Sequence, residues 1–200
     1  MTMKWLSFRD RMRLVSILFV LMADMSANAL NLRPSTLNLQ CGGGMGLPAI
    51  GVGWQYGRSN NFETEVMVGL IPKYDSSNAK VTFALKENFV PWHIALGSDF
   101  ILEPLTTSFY VTTIISNKFW VKLPSRYQSG YYGLPTKIRM NICLGQRIAY
   151  NFKRQDMFVK AVSAFYELGT CDIYLLSAFG NKYLKPTDWL QLCLGVRLRI

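Results

Sequence analysis

The sequence is poor in charge and has a single histidine. Asp, Glu, Lys and Arg together make up 17% of its 200 residues, and His93 is the only histidine. The surface of a small soluble domain usually carries about 25–35% of these four charged residues. No Cys-x-x-Cys pair is present, and one histidine does not complete a typical zinc ligand set, so the sequence predicts no metal site.

The chain also lacks the motifs of several other classes. The glycine cluster at 42–46 is not followed by Gly-Lys-Ser/Thr and does not have dinucleotide-binding spacing, so no cofactor is predicted. The formal net charge is +10, but the basic residues are scattered, which argues against nucleic acid as a partner. After residue 29, no apolar run reaches the roughly 20 residues of a membrane-spanning helix.

The first 29 residues have the three parts of a secretory signal peptide. The basic part contains Lys4, Arg9, Arg11 and Arg13. An apolar stretch from Leu14 to Ala23 follows, and Ala27-Asn28-Ala29 has the small residues of a cleavage site. We therefore expect residues 1–29 to be cleaved on export. Residues 30–46 are then an N-terminal segment or an extra strand, and 47–200 form the folded domain.

Most of the remaining chain alternates between apolar and polar residues in short segments separated by turn residues. This pattern is typical of an antiparallel meander, in which each strand has one apolar face and one small, polar or charged face. Eight strands are predicted, at 50–56, 62–70, 80–86, 100–115, 137–150, 157–168, 172–180 and 189–200. Residues 36–43 are a candidate extra strand, which would need a partner at 117–123, so the range is eight to ten.

An antiparallel up-and-down β-barrel fits these strands, and its apolar face has two alternative environments. A soluble ligand-binding barrel places that face inside, whereas a transmembrane barrel places it outside, against lipid. The low charge and the apolar strand at the end of the sequence favour the transmembrane barrel over 47–200. So do the aromatic residues near predicted strand ends, namely Trp54, Tyr56, Trp92, Trp120, Tyr150, Tyr183 and Trp189. A soluble secreted ligand-binding barrel is the alternative.

From about residue 36 to Ile200, the chain resembles the small outer-membrane β-barrel proteins of Gram-negative bacteria. In its general residue pattern it is similar to uncharacterised members from Bacteroidota. Such proteins usually end in Phe, whereas this chain ends in Ile. The resemblance implies the bacterial outer membrane as location, lipid and lipopolysaccharide as surroundings, and the outer-membrane assembly machinery as a partner. It implies a structural, anchoring or surface-binding role and carries no catalytic residue over.

One feature conflicts with these eight strands. With both termini in the periplasm, the longest connection, 116–135, falls on the periplasmic side. Long loops of outer-membrane barrels normally face outward. The set of predicted strands is therefore expected to need revision.

His93 is a weak catalytic candidate. Some small membrane barrels are lipid A hydrolases or acyltransferases that use a histidine and a serine, so a lipid A-modifying enzyme is an alternative function. Candidate partners close in sequence are Ser98, Ser108, Glu87 and Glu103, but no spacing singles out a triad. We expect a histidine that is hydrogen-bonded to a neighbour at the interface or in the lumen, and no enzymatic activity is favoured.

Two groups of residues are candidate binding sites. The first comprises charged residues on predicted polar faces: Glu63, Glu65, Arg139, Arg147, Arg197 and Arg199. Because an unpaired charge in a narrow lumen is costly, we expect them to form an ion-pair network. The second group is a loop that could contact sugar or lipopolysaccharide, with Trp120, Lys122, Arg126, Tyr131 and Tyr132.

The chain has four cysteines, at positions 41, 143, 171 and 193. In an exported protein they could oxidise into any of three pairings. Cys143 and Cys193 both lie on the polar faces of their strands. A luminal bridge between them and small buried thiols are the two alternatives.

Overall fold

The chain folds into a closed antiparallel β-barrel. The computed structural model describes residues 33–73, 79–115, 137–154, 157–181 and 183–200, so the predicted signal peptide lies outside it. The strands in these residues are β1 (Thr36–Gly42), β2 (Ala49–Tyr56), β3 (Phe62–Ile71), β4 (Lys80–Phe89), β5 (Ile94–Leu96), β6 (Phe100–Ile115), β7 (Ile138–Asn151), β8 (Ala161–Cys171) and β9 (Gln191–Arg199). They pair in the order β4-β3-β2-β1-β9-β8-β7-β6-β5, and β4 also pairs with β6. That last pairing closes a ring of eight strands, with the short β5 attached to β6.

The predicted fold class, an all-β antiparallel barrel of eight strands, is confirmed, but the set of strands differs. Residues 36–42 do form a strand, which pairs with both β2 and β9. The prediction of a strand at 172–180 is wrong, because these residues form helix α1 (Asp172–Gly180), and the short helix α2 (Pro186–Trp189) follows. The run Ile-Tyr-Leu-Leu-Ser-Ala-Phe does not alternate in polarity. Its first turn contains Asp172, whose negative charge suits a helix N-terminus.

The chain has a strand at 36–42 that was not among the eight predicted, and it has a helix where the strand at 172–180 was predicted. As a result, every strand from β2 to β8 runs in the direction opposite to the predicted one. We call the end of the barrel that holds Thr36 and Arg199 the terminal end, and the opposite end the loop end. The chain leaves β6 at Ile115 and begins β7 at Ile138, so the longest connection starts and finishes at the loop end. The connections at the loop end are 43–48, 72–79, 116–137 and 172–190, and those at the terminal end are 57–61, 90–99 and 152–160. The conflict over the longest connection is thereby removed.

The barrel has a polar interior and an apolar exterior. Many large apolar side chains on the outward faces are exposed, and seven of them are between 41% and 60% exposed: Ile50, Val68, Phe83, Ile142, Leu144, Leu168 and Leu194. Buried side chains on the inward faces include the neutral polar residues Asn38, Gln40, Thr82, Asn88, Ser108, Asn141 and Ser163. This distribution is the reverse of the one in a soluble barrel. Within the described part of the chain, no helix is both long enough and apolar enough to cross a membrane.

Small and large inward residues face each other across neighbouring strands. Glycines pair with large inward residues at Gly53–Glu65, Gly145–Glu167 and Gly195–Phe165. An eight-stranded barrel has an interior just wide enough for side chains to fill, and alternation of size lets them fit. The glycines therefore make room for the side chains that occupy the lumen.

The connection between β1 and β2 folds into the loop end of the barrel. Met45 is buried, and its carbonyl accepts a hydrogen bond from the Thr82 hydroxyl. The Tyr110 hydroxyl donates to the carbonyl of Gly43. Because Gly43 has a φ of 66° and its neighbours at 42, 44 and 46 also have positive φ, glycine is the residue that suits this inward path. The glycine cluster in the sequence thus packs inside the barrel.

Substitution of Gly145 tests how tightly the lumen is filled. A Cβ atom at Gly145 would lie 2.2 Å from the carbonyl oxygen of Tyr166, which is backbone and cannot rotate away. We expect Gly145→Ala to lower the free energy of unfolding by about 1–3 kcal/mol, the usual cost of overpacking. Urea unfolding in detergent micelles, followed by tryptophan fluorescence, measures it. The matched control is Gly180→Ala, because a Cβ at Gly180 has no neighbour within 4 Å. Equal stability of the two variants would contradict the tight packing.

Candidate functional site

Seven charged side chains are buried together inside the barrel. We call them the luminal charge cluster, and they are Glu63, Glu65, Lys86, Glu103, Arg147, Glu167 and Arg197. Six strands contribute to the cluster, because strand alternation turns every second residue of each strand inward. Unpaired charge is costly in such a place, so the pairing within the cluster decides what it can do.

Glu63 is the centre of the cluster. Its side chain is fully buried, and its two carboxylate oxygens lie 3.1 Å from Nη1 and Nη2 of Arg147, a bidentate pair. Arg197 donates through Nη1 to Glu63 and through Nη2 to Glu65. The remaining oxygen of Glu65 accepts a hydrogen bond of 2.8 Å from the Asn38 amide. Two arginines therefore link strands β3, β7 and β9 across the lumen.

Lys86 and Glu167 form a second pair toward the loop end. The Lys86 Nζ lies 2.8 and 2.7 Å from the two carboxylate oxygens of Glu167. Glu167 also accepts a hydrogen bond of 2.9 Å from the Ser108 hydroxyl. The ring of Phe165 separates this pair from the arginines, with the Lys86 Nζ at 5.5 Å and the Arg147 Cζ at 5.9 Å from its centroid. Both distances are within the range of cation–π attraction.

His93 joins the cluster at the terminal end. Its Nδ1 lies 3.0 Å from Oε1 of Glu103, and Oε2 of Glu103 lies 3.1 Å from Nη1 of Arg147. Among the described residues, no serine hydroxyl or cysteine thiol is hydrogen-bonded to His93. Ser108, which the sequence offered as a partner, bonds Asn88 and Glu167 instead. The geometry gives this histidine an acidic partner without a nucleophile.

The structure brings together four of the six charges that the sequence singled out. Glu63, Glu65, Arg147 and Arg197 lie in the luminal charge cluster, whereas Arg139 and Arg199 face inward at opposite ends of the barrel. Arg139 lies 3.9 Å from Asp172 at the loop end. Arg199 donates a hydrogen bond of 2.7 Å to Asn151 at the terminal end. The loop candidates Trp120, Lys122, Arg126, Tyr131 and Tyr132 lie outside the described residues.

Sequence reasoning did not single out Lys86 and Glu167 as luminal charges, and it considered Glu103 only as a neighbour of His93. A signal was available for Lys86, because it shares strand parity with the inward residues Ala84 and Asn88. Glu167 was harder to find, since Phe165 also faces inward and weakens the alternation of β8. Near Glu103 the pairing of β6 with β7 has an irregular register up to Thr106, so simple alternation fails there.

Two cavities open at the ends of the lumen, and the luminal charge cluster and Phe165 lie between them. The cavity at the terminal end has a volume of about 340 Å³ and is lined by His93, Glu103, Arg147, Arg197 and Arg199, among others. The cavity at the loop end, of about 310 Å³, is lined by Arg139, Asn141, Tyr174 and Gln191, among others. Each is large enough for a few solvent molecules or a small polar solute. The side chains of the luminal charge cluster and of Phe165 occupy the space between the two cavities.

The described residues contain no group of three or more His, Cys, Asp or Glu side chains that could hold a metal ion. All four cysteines are free thiols, and Cys143 and Cys193 are buried inside the barrel. The Cys143 thiol lies 3.8 Å from the Tyr110 hydroxyl. Of the two alternatives that the sequence left open for these cysteines, the structure has the buried thiols.

Comparison of the chain with protein-family models, with curated proteins and with solved structures gives no match.

The pair of Lys86 and Glu167 provides a test of charge pairing in the lumen. Lys86→Met leaves the buried Glu167 carboxylate without its cation, so we expect a loss of about 3–5 kcal/mol in the free energy of unfolding. The double variant Lys86→Met with Glu167→Met removes both charges and should recover most of that loss, because a buried pair and an apolar pair of similar volume are often close in stability. Urea unfolding in micelles measures both. A double variant that is no more stable than Lys86→Met alone would show that the pair is not coupled.

Proposed function

We propose that this protein is an outer-membrane β-barrel of a Gram-negative bacterium that is anchored in the bilayer, with a closed lumen. We further propose that its loop end carries a structural or surface-binding role. The observation that carries this proposal is the inverted polarity of the barrel, with charges inside and large apolar side chains outside. In water this arrangement would expose a broad apolar surface, whereas in lipid it satisfies both faces of every strand.

Aromatic side chains at the terminal end support a membrane boundary there. The ring centroids of Tyr56 and Phe62 are 5.8 Å apart, and those of Phe62 and Phe89 are 5.1 Å apart. Farther around the same end, Phe100 and Tyr150 lie 5.0 Å apart. Girdles of aromatic residues flank the apolar band of membrane barrels, because these rings suit the boundary between lipid and water.

The distribution of the connections supports an orientation. Outer-membrane barrels have short turns on the periplasmic side and longer loops on the outer side. The two longest connections, 116–137 and 172–190, both belong to the loop end, so we propose that this end faces outward. The connection 116–137, which contains the loop predicted to contact lipopolysaccharide, would then begin and end on the outer side.

Three other roles fit the described residues less well. A soluble ligand-binding barrel needs an apolar cavity, and here the interior holds the luminal charge cluster. A porin needs an aqueous channel, which in known barrels takes 16 or more strands, about twice the number found here. A lipid A-modifying enzyme of this kind would need a nucleophile beside its histidine. Among the described residues, His93 is paired with the carboxylate of Glu103 but is hydrogen-bonded to no nucleophile.

Fractionation of cells that express the protein tests the proposal directly. We expect the protein in the detergent-extracted outer-membrane fraction, and its band should migrate differently in gels before and after boiling, since closed membrane barrels stay folded in cold detergent. Recovery from the soluble periplasm, without such a shift, would reject the membrane location.

A charge on the outer wall tests the same proposal at one residue. Leu144 is 54% exposed in the middle of β7. We expect Leu144→Arg to lower the free energy of unfolding in lipid vesicles by about 2–4 kcal/mol, the cost of arginine at the bilayer midplane. The matched control is Phe158→Arg, in the connection after β7, where the residue is 73% exposed and the expected cost is about 0–1 kcal/mol. Equal stability of the two variants would indicate that water surrounds Leu144.

A further inference from the structure

One carboxylate lies on the outward face of the barrel. In β4 both neighbours of Glu87, Lys86 and Asn88, face inward and are buried, so Glu87 points outward with Leu85 and Phe89. Glu87 is half-buried against the wall. The luminal charge cluster does not use it, and a charge on a face of large apolar side chains is costly unless something pairs with it.

Two hydroxyl groups hold the Glu87 side chain in place. Tyr56 donates to Oε1 of Glu87, and the Thr64 hydroxyl donates to Oε2 over 2.5 Å. The two hydroxyl oxygens are 3.1 Å apart. Each carboxylate oxygen has capacity for a further hydrogen bond, because an ionised carboxylate accepts about four. The site is therefore organised and can accept from an additional donor.

No cation of the described chain pairs with Glu87. The nearby charges that act on it through the wall are the carboxylates Glu63 and Glu65, which are negative as well. Because Lys86 faces the lumen and is bound to Glu167, it does not serve as a partner either. Charge complementarity thus calls for a positive group that comes from outside the barrel.

Glu87 lies at the depth of lipid headgroups if the barrel is in a membrane. It is two residues before Phe89, the last residue of β4 at the terminal end. At about 3.3 Å per residue and a strand tilt of about 45°, the carboxylate is roughly 5 Å below the end of the strand. This depth corresponds to the boundary between headgroups and acyl chains.

Aromatic residues occupy neighbouring outward positions around Glu87 in the sheet. Phe89 follows it on the same face, and Phe109 is its register partner on β6. Trp54 is the register partner of Thr64 on the other side. Ammonium groups bind over the faces of such rings, which adds to their attraction to a carboxylate.

We propose that Glu87, Tyr56 and Thr64, with the neighbouring aromatic rings, form a site for the primary ammonium group of an ethanolamine phospholipid. The carboxylate supplies the opposite charge and accepts N–H bonds, which a choline headgroup does not donate. This inference rests on the proposed membrane location and orientation, in which the terminal end meets the leaflet opposite the long loops.

Native mass spectrometry of the protein from the membrane fraction tests the site. The protein is equilibrated in detergent with equal amounts of phosphatidylethanolamine and phosphatidylcholine of the same acyl chains, and the single-lipid adducts are compared. We expect the wild-type protein to favour phosphatidylethanolamine by about threefold, in keeping with one exposed cation–carboxylate and cation–π contact. Glu87→Gln should reduce the ratio to about one, and Thr64→Val should lower it.

A matched control removes a polar group elsewhere on the same wall. Gln146 faces outward on β7, two strands from β4, and accepts a hydrogen bond of 2.9 Å from Tyr166. Gln146→Leu should leave the lipid ratio unchanged. The gel shift on boiling confirms that each variant is folded before its lipid ratio is measured.

Three outcomes would overturn the proposal. They are a wild-type ratio of one, a ratio that Glu87→Gln does not change, and a preference that increases as the headgroup nitrogen is methylated, which would point to the aromatic rings alone. If the protein showed no preference between the two lipids but bound a basic protein in a way that depends on Glu87, the ligand of the site would be a protein and not a lipid. Failure of the membrane location would be seen separately, as absence from the membrane fraction.

Discussion

The narrow closed ring of strands constrains everything inside it. Eight strands that pair around a full circle leave an interior only wide enough for side chains, so inward residues from different strands meet across the lumen. Charges placed there are removed from water and must find partners of opposite sign. Arg197 bridges Glu63 and Glu65, and Arg147 continues from Glu63 to Glu103. The cluster therefore ties strands together that are not neighbours in the sheet.

The same constraint limits where function can reside. With the lumen occupied by paired charges, Phe165 and the inward connection with Met45, neither passage of solutes nor binding of a large ligand inside fits the structure. The end cavities, the loop end and the outer wall remain. The outer wall carries mainly large apolar side chains. Glu87, with its two hydroxyl donors, is a polar group on this wall and therefore requires an explanation of its own.

The elements of the barrel differ in how well their sequences predict them, because each meets different surroundings. Strands such as β3 and β7 alternate cleanly, because one face carries large apolar side chains outward and the other places polar side chains in the lumen, and the sequence identifies them well. The run 172–180 was predicted as a strand because it is short and apolar, and periodicity alone does not separate such a run from a helix. Residues 36–42 were left open, since their polar face holds neutral residues and the pattern is short. Pairs across the lumen, such as Lys86 with Glu167, depend on barrel closure, which no local pattern encodes.

Alternation also explains why the outer site exists where it does. Lys86 and Glu87 are adjacent, so one of the two must face the lumen and the other the outer wall. Glu167 on β8 is inward, and its charge is balanced only if Lys86 is inward as well. The buried pair thus fixes the register of β4, and that register sends the Glu87 carboxylate outward, next to Tyr56 and Thr64. A charge on the apolar wall follows from the need to neutralise one inside, and in the membrane orientation proposed above its position near the end of β4 places it at the depth of the headgroup ammonium groups.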